Sequence, residues 1–164
     1  MQERMENPNF SQEHVFMRQA LGQAKIAAEK DEVPVGAVIV HNDQIIAKAH
    51  NQVELLKDPT AHAEMIAITQ ASSVLSCKWL YECMMYVTIE PCSMCAGAIV
   101  LARMKRVYFG ASDPKAGACG SIINITQNSQ LNHCVEVSSG ISEEECSGLI
   151  RQFFEQKRKS NKLS

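Results

Sequence analysis

Apolar positions near the start of the chain recur at the spacing of an amphipathic helix. Ser11 is placed to cap the N-terminus of this helix, and Phe10 and Val15 are placed to pack against each other across that end. The pattern predicts a first helix that buries one face, formed by Met17, Ala20, Leu21, Ala24 and Ala28.

Short β-branched or alternating segments predict five strands. Residues 33–40 (VPVGAVIV) are apolar on both faces, as in a central strand. A turn at 41–43 joins them to the alternating segment 44–50, which predicts a hairpin. The remaining predicted strands are 84–89, 105–110 and 134–137.

Three further helices are predicted. One covers 61–75, and a second covers 92–102 with Pro91 in its first turn, where proline is well tolerated. The last begins with a capping box of Ser142 and Glu145. Its apolar stripe consists of Cys146, Leu149, Ile150, Phe153 and Phe154.

Together these elements predict an α/β fold, a three-layer α/β/α sandwich with a mixed five-stranded sheet. We expect one domain over residues 1–164, with flexible ends at 1–10 and 159–164. The helix 92–102 is apolar almost all round, which is typical of a helix buried on every side. The sequence leaves open whether other helices or a second subunit cover its outer side.

The composition is that of an ordinary globular protein, with 46% hydrophobic and 21% charged residues. The N-terminus has no apolar signal segment, and the longest apolar run, 95–102, is too short to span a membrane. We therefore expect a cytoplasmic protein without a membrane partner. Its seven cysteines are then not a disulfide framework, and we interpret Cys77, Cys83, Cys119, Cys134 and Cys146 as ordinary thiols.

Charge is unevenly distributed. Residues 1–100 hold 7 Lys and Arg against 12 Asp and Glu, whereas residues 101–164 hold 9 against 6. The basic tail around Lys157 and Arg158 can contact phosphate. It can equally be a solvated helix end, where cations interact favourably with the helix dipole.

Cys92 and Cys95 form a C-x-x-C pair in the first turn of a predicted helix, where thiolate is favoured. By itself the pair fits a redox centre, a structural clip or a metal site. Upstream, His62 and Glu64 also open a predicted helix. His62, Cys92 and Cys95 supply three ligands for tetrahedral zinc, which leaves a fourth position for water. Glu64 can then exchange protons with that water.

The chain resembles the cytidine deaminase-like superfamily, and within it the bacterial family that deaminates adenosine in tRNA. The resemblance extends from about His14 to about Arg158. The motifs that carry it are EVPVGAV (32–38), DPTAHAEM (58–65), YVTIEPCSMCAGA (86–98), RVYFGASDPKAGACGS (106–121) and NH (132–133).

The resemblance implies a cytidine deaminase-like fold and one zinc ion per subunit, held by His62, Cys92 and Cys95, with Glu64 as the proton shuttle. The implied reaction converts adenosine to inosine at the wobble position, the first anticodon position of a tRNA, and releases ammonia. The implied partners are a tRNA anticodon stem-loop and a second copy of the chain, which favours a subunit interface at helix 92–102.

Further contacts are implied residue by residue. Asn51 matches a residue that hydrogen-bonds the target nucleotide, although a turn Asn with a local backbone bond is the alternative. Asp113 matches a residue near the flanking nucleotides, although it can simply start an Asp-Pro turn. Lys115, Lys157 and Arg158 become candidates for phosphate contacts. Phe153 and Phe154 have core spacing, yet one of them could stack on a base.

Two other functions stay open at this level. The first is deamination of a free base or nucleoside such as guanine or cytosine, which needs no basic RNA surface. The second is a non-catalytic module in which Cys92 and Cys95 are redox or structural residues. That reading leaves His62 and Glu64 without a role.

Overall fold

The computed structural model describes residues 11–163. It contains the helices α1 (Gln12–Glu29), α2 (Val53–Leu56), α3 (Ala63–Leu75), α4 (Ser93–Leu101) and α5 (Glu143–Lys162). The strands are β1 (Gly36–His41), β2 (Gln44–His50), β3 (Met84–Ile89), β4 (Arg106–Ala111) and β5 (Glu136–Ser139). The predicted flexible end at 1–10 lies outside the described residues, and α5 covers most of the predicted end at 159–164.

The five strands form one mixed sheet in the order β2-β1-β3-β4-β5. β1 pairs antiparallel with β2 and β3, whereas β3, β4 and β5 run parallel to one another. The parallel β3–β4 pair is connected through α4, which makes these three elements a βαβ unit. This confirms the predicted mixed five-stranded α/β fold.

Helices cover both faces of the sheet because successive residues of each strand point to opposite sides. On β1, Ala37 and Ile39 pack in the cluster beneath α3 and α4, while Val38 and Val40 pack in the cluster with α1. Cys146 of α5 joins the α1 side. The two clusters are the two cores of a three-layer arrangement.

Several local predictions were wrong in detail. β1 begins at Gly36 and β5 at Glu136, each later than expected, and the short helix α2 was not predicted. Pro91 precedes α4, because Cys92 is its N-cap residue. The capping box at the start of α5 does not form, since Ser142 has φ 52° and makes no side-chain capping bond within the described chain.

The start of α1 also differs from the prediction. Ser11 is the N-cap residue but makes no side-chain capping bond within residues 11–163, and its Oγ lies 2.7 Å from His14 Nδ1 instead. The predicted packing of Phe10 on Val15 involves a residue outside the described range. Within that range no helix is both long and apolar enough to cross a membrane.

Helix α4 buries one side against the sheet through Cys95, Ala96, Ile99 and Val100. Its outer side is not covered to the same extent, since Leu101 is 75% exposed. A subunit interface at this helix therefore remains a prediction.

Candidate active site

Three side chains that can bind a metal meet where α3 and α4 begin. His62 is the N-cap residue of α3, Cys92 is the N-cap residue of α4, and Cys95 lies in the first turn of α4. His62 Nδ1 lies 3.6 Å from Cys92 Sγ and 3.5 Å from Cys95 Sγ. The ligand atoms of the three residues all lie within 4.8 Å of one another. The structure thus brings together all three residues predicted as ligands.

The electrostatics of this group favour thiolate at Cys92. Hydrogen bonds from Cys95 and His62 lower the pKa of Cys92 to about 3. The hydrogen bond between Cys95 and Cys92, together with burial, raises the pKa of Cys95. The hydrogen bond between His62 and Cys92 raises the pKa of His62. A nitrogen with two sulfurs is a donor set that tetrahedral zinc prefers, and three protein ligands leave one position open. The group can hold a metal ion, and its donor chemistry fits zinc.

Glu64 lies in the first turn of α3, next to the ligand group. Its side chain is buried, with 3% exposed, and its Oε2 atom has no hydrogen-bond partner among the residues described. Burial raises the pKa of Glu64 to about 7. A buried carboxyl that titrates near neutral pH can both accept and donate a proton, which is what a general acid–base catalyst requires.

The ligand group opens into a cleft of about 1360 Å³ at one end of the sheet. The sheet topology explains its place, because β1 begins at the same end at which β2, β3 and β4 finish. Loops that follow parallel strands commonly form ligand sites at such an end. Of the residues predicted to bind substrate, those lining the cleft are Asn51, Asp113, Phe153, Lys157 and Arg158.

Asn51 follows β2 and is buried. Its Oδ1 accepts a hydrogen bond of 2.9 Å from the backbone N–H of Ala63, twelve residues along the chain. The side chain therefore does not make the local turn bond that was the alternative. Because an amide side chain also carries two N–H donors, Asn51 retains donors for a molecule in the cleft.

Asp113 starts a turn, which is the alternative given for it in the sequence analysis. Its Oδ1 accepts hydrogen bonds from the backbone N–H groups of Lys115, at 2.9 Å, and Ala116, at 3.1 Å. The residue also lines the cleft. Lys115 is exposed, and it is not among the described residues that line the cleft.

The end of α5 forms a second wall of the cleft. Phe153 is buried, whereas Phe154 is 43% exposed, and their rings meet edge to face at 5.4 Å. Lys157 Nζ donates a hydrogen bond of 2.6 Å to Asp31 Oδ2, and Arg158 is exposed. Aromatic and cationic side chains are thus adjacent on this wall.

Sequence reasoning missed two buried glutamates in the cleft wall. Glu32 accepts hydrogen bonds from the backbone N–H groups of Glu54 and Leu55 and so holds the start of α2. Glu90 precedes Pro91 and bonds to Ser121. Both lie within the quoted motifs, but nothing in a single sequence separates a buried glutamate from a solvated one.

The fold and the site together define a deaminase. The family model for MafB19-like deaminases matches residues 10–158, and the chain therefore belongs to that family.

Comparison with individual proteins narrows the class. The chain is 48% identical over 155 residues to the tRNA-specific adenosine deaminase of Bacillus subtilis (strain 168). The matched region covers 94% of this chain and 96% of that protein. A solved structure from work on A-to-I editing by tRNA:A34 deaminases at the wobble position of transfer RNA matches with a TM-score of 0.80 and 43% identity. That match covers 82% of this chain and 98% of the other. The chain thus groups with the tRNA-specific adenosine deaminases.

A guanine deaminase structure from Bacillus subtilis also matches, with 42% identity. Its TM-score is 0.57, and the match covers 60% of this chain and 63% of that one. The similarity therefore extends over a smaller part of both molecules.

Proposed function

We propose that this enzyme catalyses the zinc-dependent hydrolytic deamination of adenosine to inosine at the wobble position of a tRNA, with release of ammonia. One observation carries the proposal: Glu64 Oε2, which has no hydrogen-bond partner within residues 11–163, lies buried beside the ligand group at the base of a wide cleft. The relatives named above support adenosine in tRNA as the substrate.

His62, Cys92 and Cys95 would hold one zinc ion per subunit, since their donor atoms are close enough to share it. When bound, zinc lowers the pKa of a coordinated water so that hydroxide is available at neutral pH.

Glu64 moves the protons of the reaction. Its carboxylate takes a proton from water and gives it to N1 of the adenine, which makes C6 more electrophilic. The oxygen of that water bonds to C6, Glu64 passes the second proton of water to the amino group, and the C6–N bond breaks to release ammonia. The balance is adenosine plus water giving inosine plus ammonia. In the metal-free site burial raises the pKa of Glu64 to about 7, so neither protonation state of its carboxyl is strongly disfavoured there near neutral pH.

The cleft is wide enough to admit a nucleotide turned out of an anticodon loop. The amide N–H groups of Asn51 would donate to the target nucleotide, and Asp113 would face the flanking nucleotides. Phe153, with Phe154 beside it, offers an aromatic surface to an unstacked base. Lys157 and Arg158, and more distantly Lys115, would contact phosphate.

The proposed assembly is a homodimer that binds the tRNA anticodon stem-loop in the cytoplasm. The incompletely covered outer side of α4, with Leu101 75% exposed, supports an interface there.

The alternative, deamination of a free base such as guanine or cytosine, receives less support. The guanine deaminase likeness covers less of the chain, and a small molecule would leave the basic wall of α5 without a role. It nevertheless shares the same metal chemistry, so substrate tests must separate the two.

The test is to incubate the zinc-loaded enzyme with an anticodon stem-loop that carries adenosine at its first anticodon position. We expect inosine there and none from free adenosine, cytidine or guanine. A stem-loop with the adenosine moved one position along is the matched control. Activity on a free base alone would refute the RNA substrate, and turnover by Glu64→Gln with zinc bound would refute the role of Glu64.

A further inference from the structure

Glu90 lies between β3 and the metal-ligand turn, two residues before Cys92. Its side chain is buried, with 3% exposed, and lines the cleft. One carboxylate oxygen, Oε1, accepts a hydrogen bond of 2.8 Å from the hydroxyl of Ser121. The other, Oε2, is buried without a hydrogen-bond partner in the described part of the chain.

The loop 112–121 packs directly on this carboxylate. A Cβ atom added to Gly117 would lie 1.3 Å from Glu90 Oε2 and 2.5 Å from the carbonyl oxygen of Asp113. Glycine is therefore required for the backbone to approach so closely. Next to it, the N–H of Ala118 donates to the carbonyl of Pro91 at 2.9 Å, and Gly117 pairs with Cys92 in an isolated β-bridge.

Stability alone does not account for a glutamate at this position. A carboxylate oxygen that is buried without a partner lowers the free energy of unfolding. An apolar side chain of similar size would avoid that cost, but it could not accept the Ser121 hydroxyl. What the glutamate adds is a fixed connection between the metal-ligand turn and the loop that carries Asp113.

We propose that Glu90 is a positioning residue for substrate binding. It holds the loop 112–121 against the turn that contains Cys92, so that Asp113 faces the nucleotides beside the target base. This inference deepens the proposed function and rests on it. Glu90 acts through the loop and does not itself touch the reacting atoms.

The experiment compares Glu90→Ala, Glu90→Gln and Ser121→Ala with the wild type in the zinc-loaded enzyme. Glu82→Gln, an exposed glutamate paired with Lys105, is the matched control. The readouts are kcat and KM on the anticodon stem-loop, zinc content, and hydrogen exchange of the amides in 112–121. These separate positioning from a loss of metal or of fold.

For Glu90→Ala we expect KM to rise about tenfold or more, kcat to change less than about threefold, and zinc content to stay the same. The loop amides should exchange faster. Glu90→Gln should largely rescue KM, because its amide carbonyl can still accept the Ser121 hydroxyl, and Ser121→Ala should lie between the two.

Wild-type KM and loop exchange in Glu90→Ala would overturn the inference. Loss of zinc together with a fall in kcat would also overturn the inference, because Glu90 would then support only the turn that carries the metal ligands. If the wild type is inactive on the stem-loop, the proposed function fails instead, and loop exchange still tests what Glu90 does to the loop.

Discussion

The side chain of Asn51 and the backbone of Ala63 are joined by a hydrogen bond of 2.9 Å. Ala63 is the first residue of α3, whose first N–H groups have no partner within the helix. Asn51 lines the cleft, and its carbonyl fixes the helix that carries Glu64. In the proposed function Asn51 has a second task, since its amino group would donate to the target nucleotide.

Replacement of Asn51 should separate these two tasks. Asn51→Asp keeps an acceptor for the N–H of Ala63 but loses the amino group, so we expect kcat/KM to fall at least about tenfold. Its stability should change little at about pH 4, where a buried carboxyl is protonated and carries no charge. Asn51→Ala loses both, and should also lower the free energy of unfolding by about 1 to 3 kcal/mol. Urea unfolding and steady-state kinetics measure the two effects. Equal destabilisation by both variants would contradict this division.

The titration of Glu64 should make the stability of the metal-free protein depend on pH. Burial raises the pKa of Glu64 from 4.5 to about 7, so between these values the folded state binds more protons than the unfolded state. The contribution of Glu64 to stability is therefore complete below about pH 4.5 and is lost as the pH rises through about 7. The difference corresponds to about 3 kcal/mol at most.

Urea unfolding of metal-free wild type and metal-free Glu64→Gln at pH 5 and pH 8 measures this effect. The wild type should lose more stability than the variant over that interval. Parallel losses in the two proteins would show that Glu64 does not titrate there.

Metal removal should expose a reactive thiolate. The pKa of Cys92 is lowered to about 3 by its hydrogen bonds, and the residue is half-buried, so the metal-free protein should be alkylated by iodoacetamide at Cys92 at pH 6. Added zinc should protect it. The exposed Cys77 and Cys134 are replaced by Ser beforehand so that they do not compete. Peptide mass spectrometry identifies the site, and equal labelling with and without zinc would argue against Cys92 as a ligand.

The ion pair between Lys157 and Asp31 should restrain RNA binding. Because Asp31 holds the ammonium at 2.6 Å, we expect Asp31→Asn to release Lys157 for phosphate and to tighten tRNA binding at low salt. Lys157→Ala and Arg158→Ala should each weaken binding. Each should also make the negative slope of log affinity against log salt concentration less steep by about one. Filter binding over a salt series checks this. Unchanged affinity in all three variants would show that α5 is not part of the RNA-binding surface.

The sheet and the ligand group were predictable from sequence because their signals are local. Alternation along 44–50 and the apolar run 84–89 identify strands directly. The start of a helix carries each of the three predicted ligands, His62, Cys92 and Cys95. The sequence spacing of apolar and breaking residues is enough to place them there. Spacing does not show that the starts of the two helices meet in space; the α/β fold and the resemblance imply it.

What could not be predicted depends on distant contacts. The burial of Glu32 and Glu90 arises from loops that pack over them, and no pattern of neighbouring residues reports it. Helix α2 has four residues, too short for a periodic signal, and is held by Glu32 from outside. Ser142 looks like a cap in sequence, but its backbone takes a left-handed conformation.

In the proposed function, the hydrolytic chemistry and the binding of RNA would be carried by different layers of the sandwich. The ligand group and Glu64 lie at the starts of α3 and α4 on one side of the sheet, whereas the aromatic and basic wall belongs to α5 on the other. If α5 binds the RNA as proposed, substitutions late in α5 should change RNA binding more than they change the hydrolytic centre. Such a division would let substrate preference change while the reaction itself is kept.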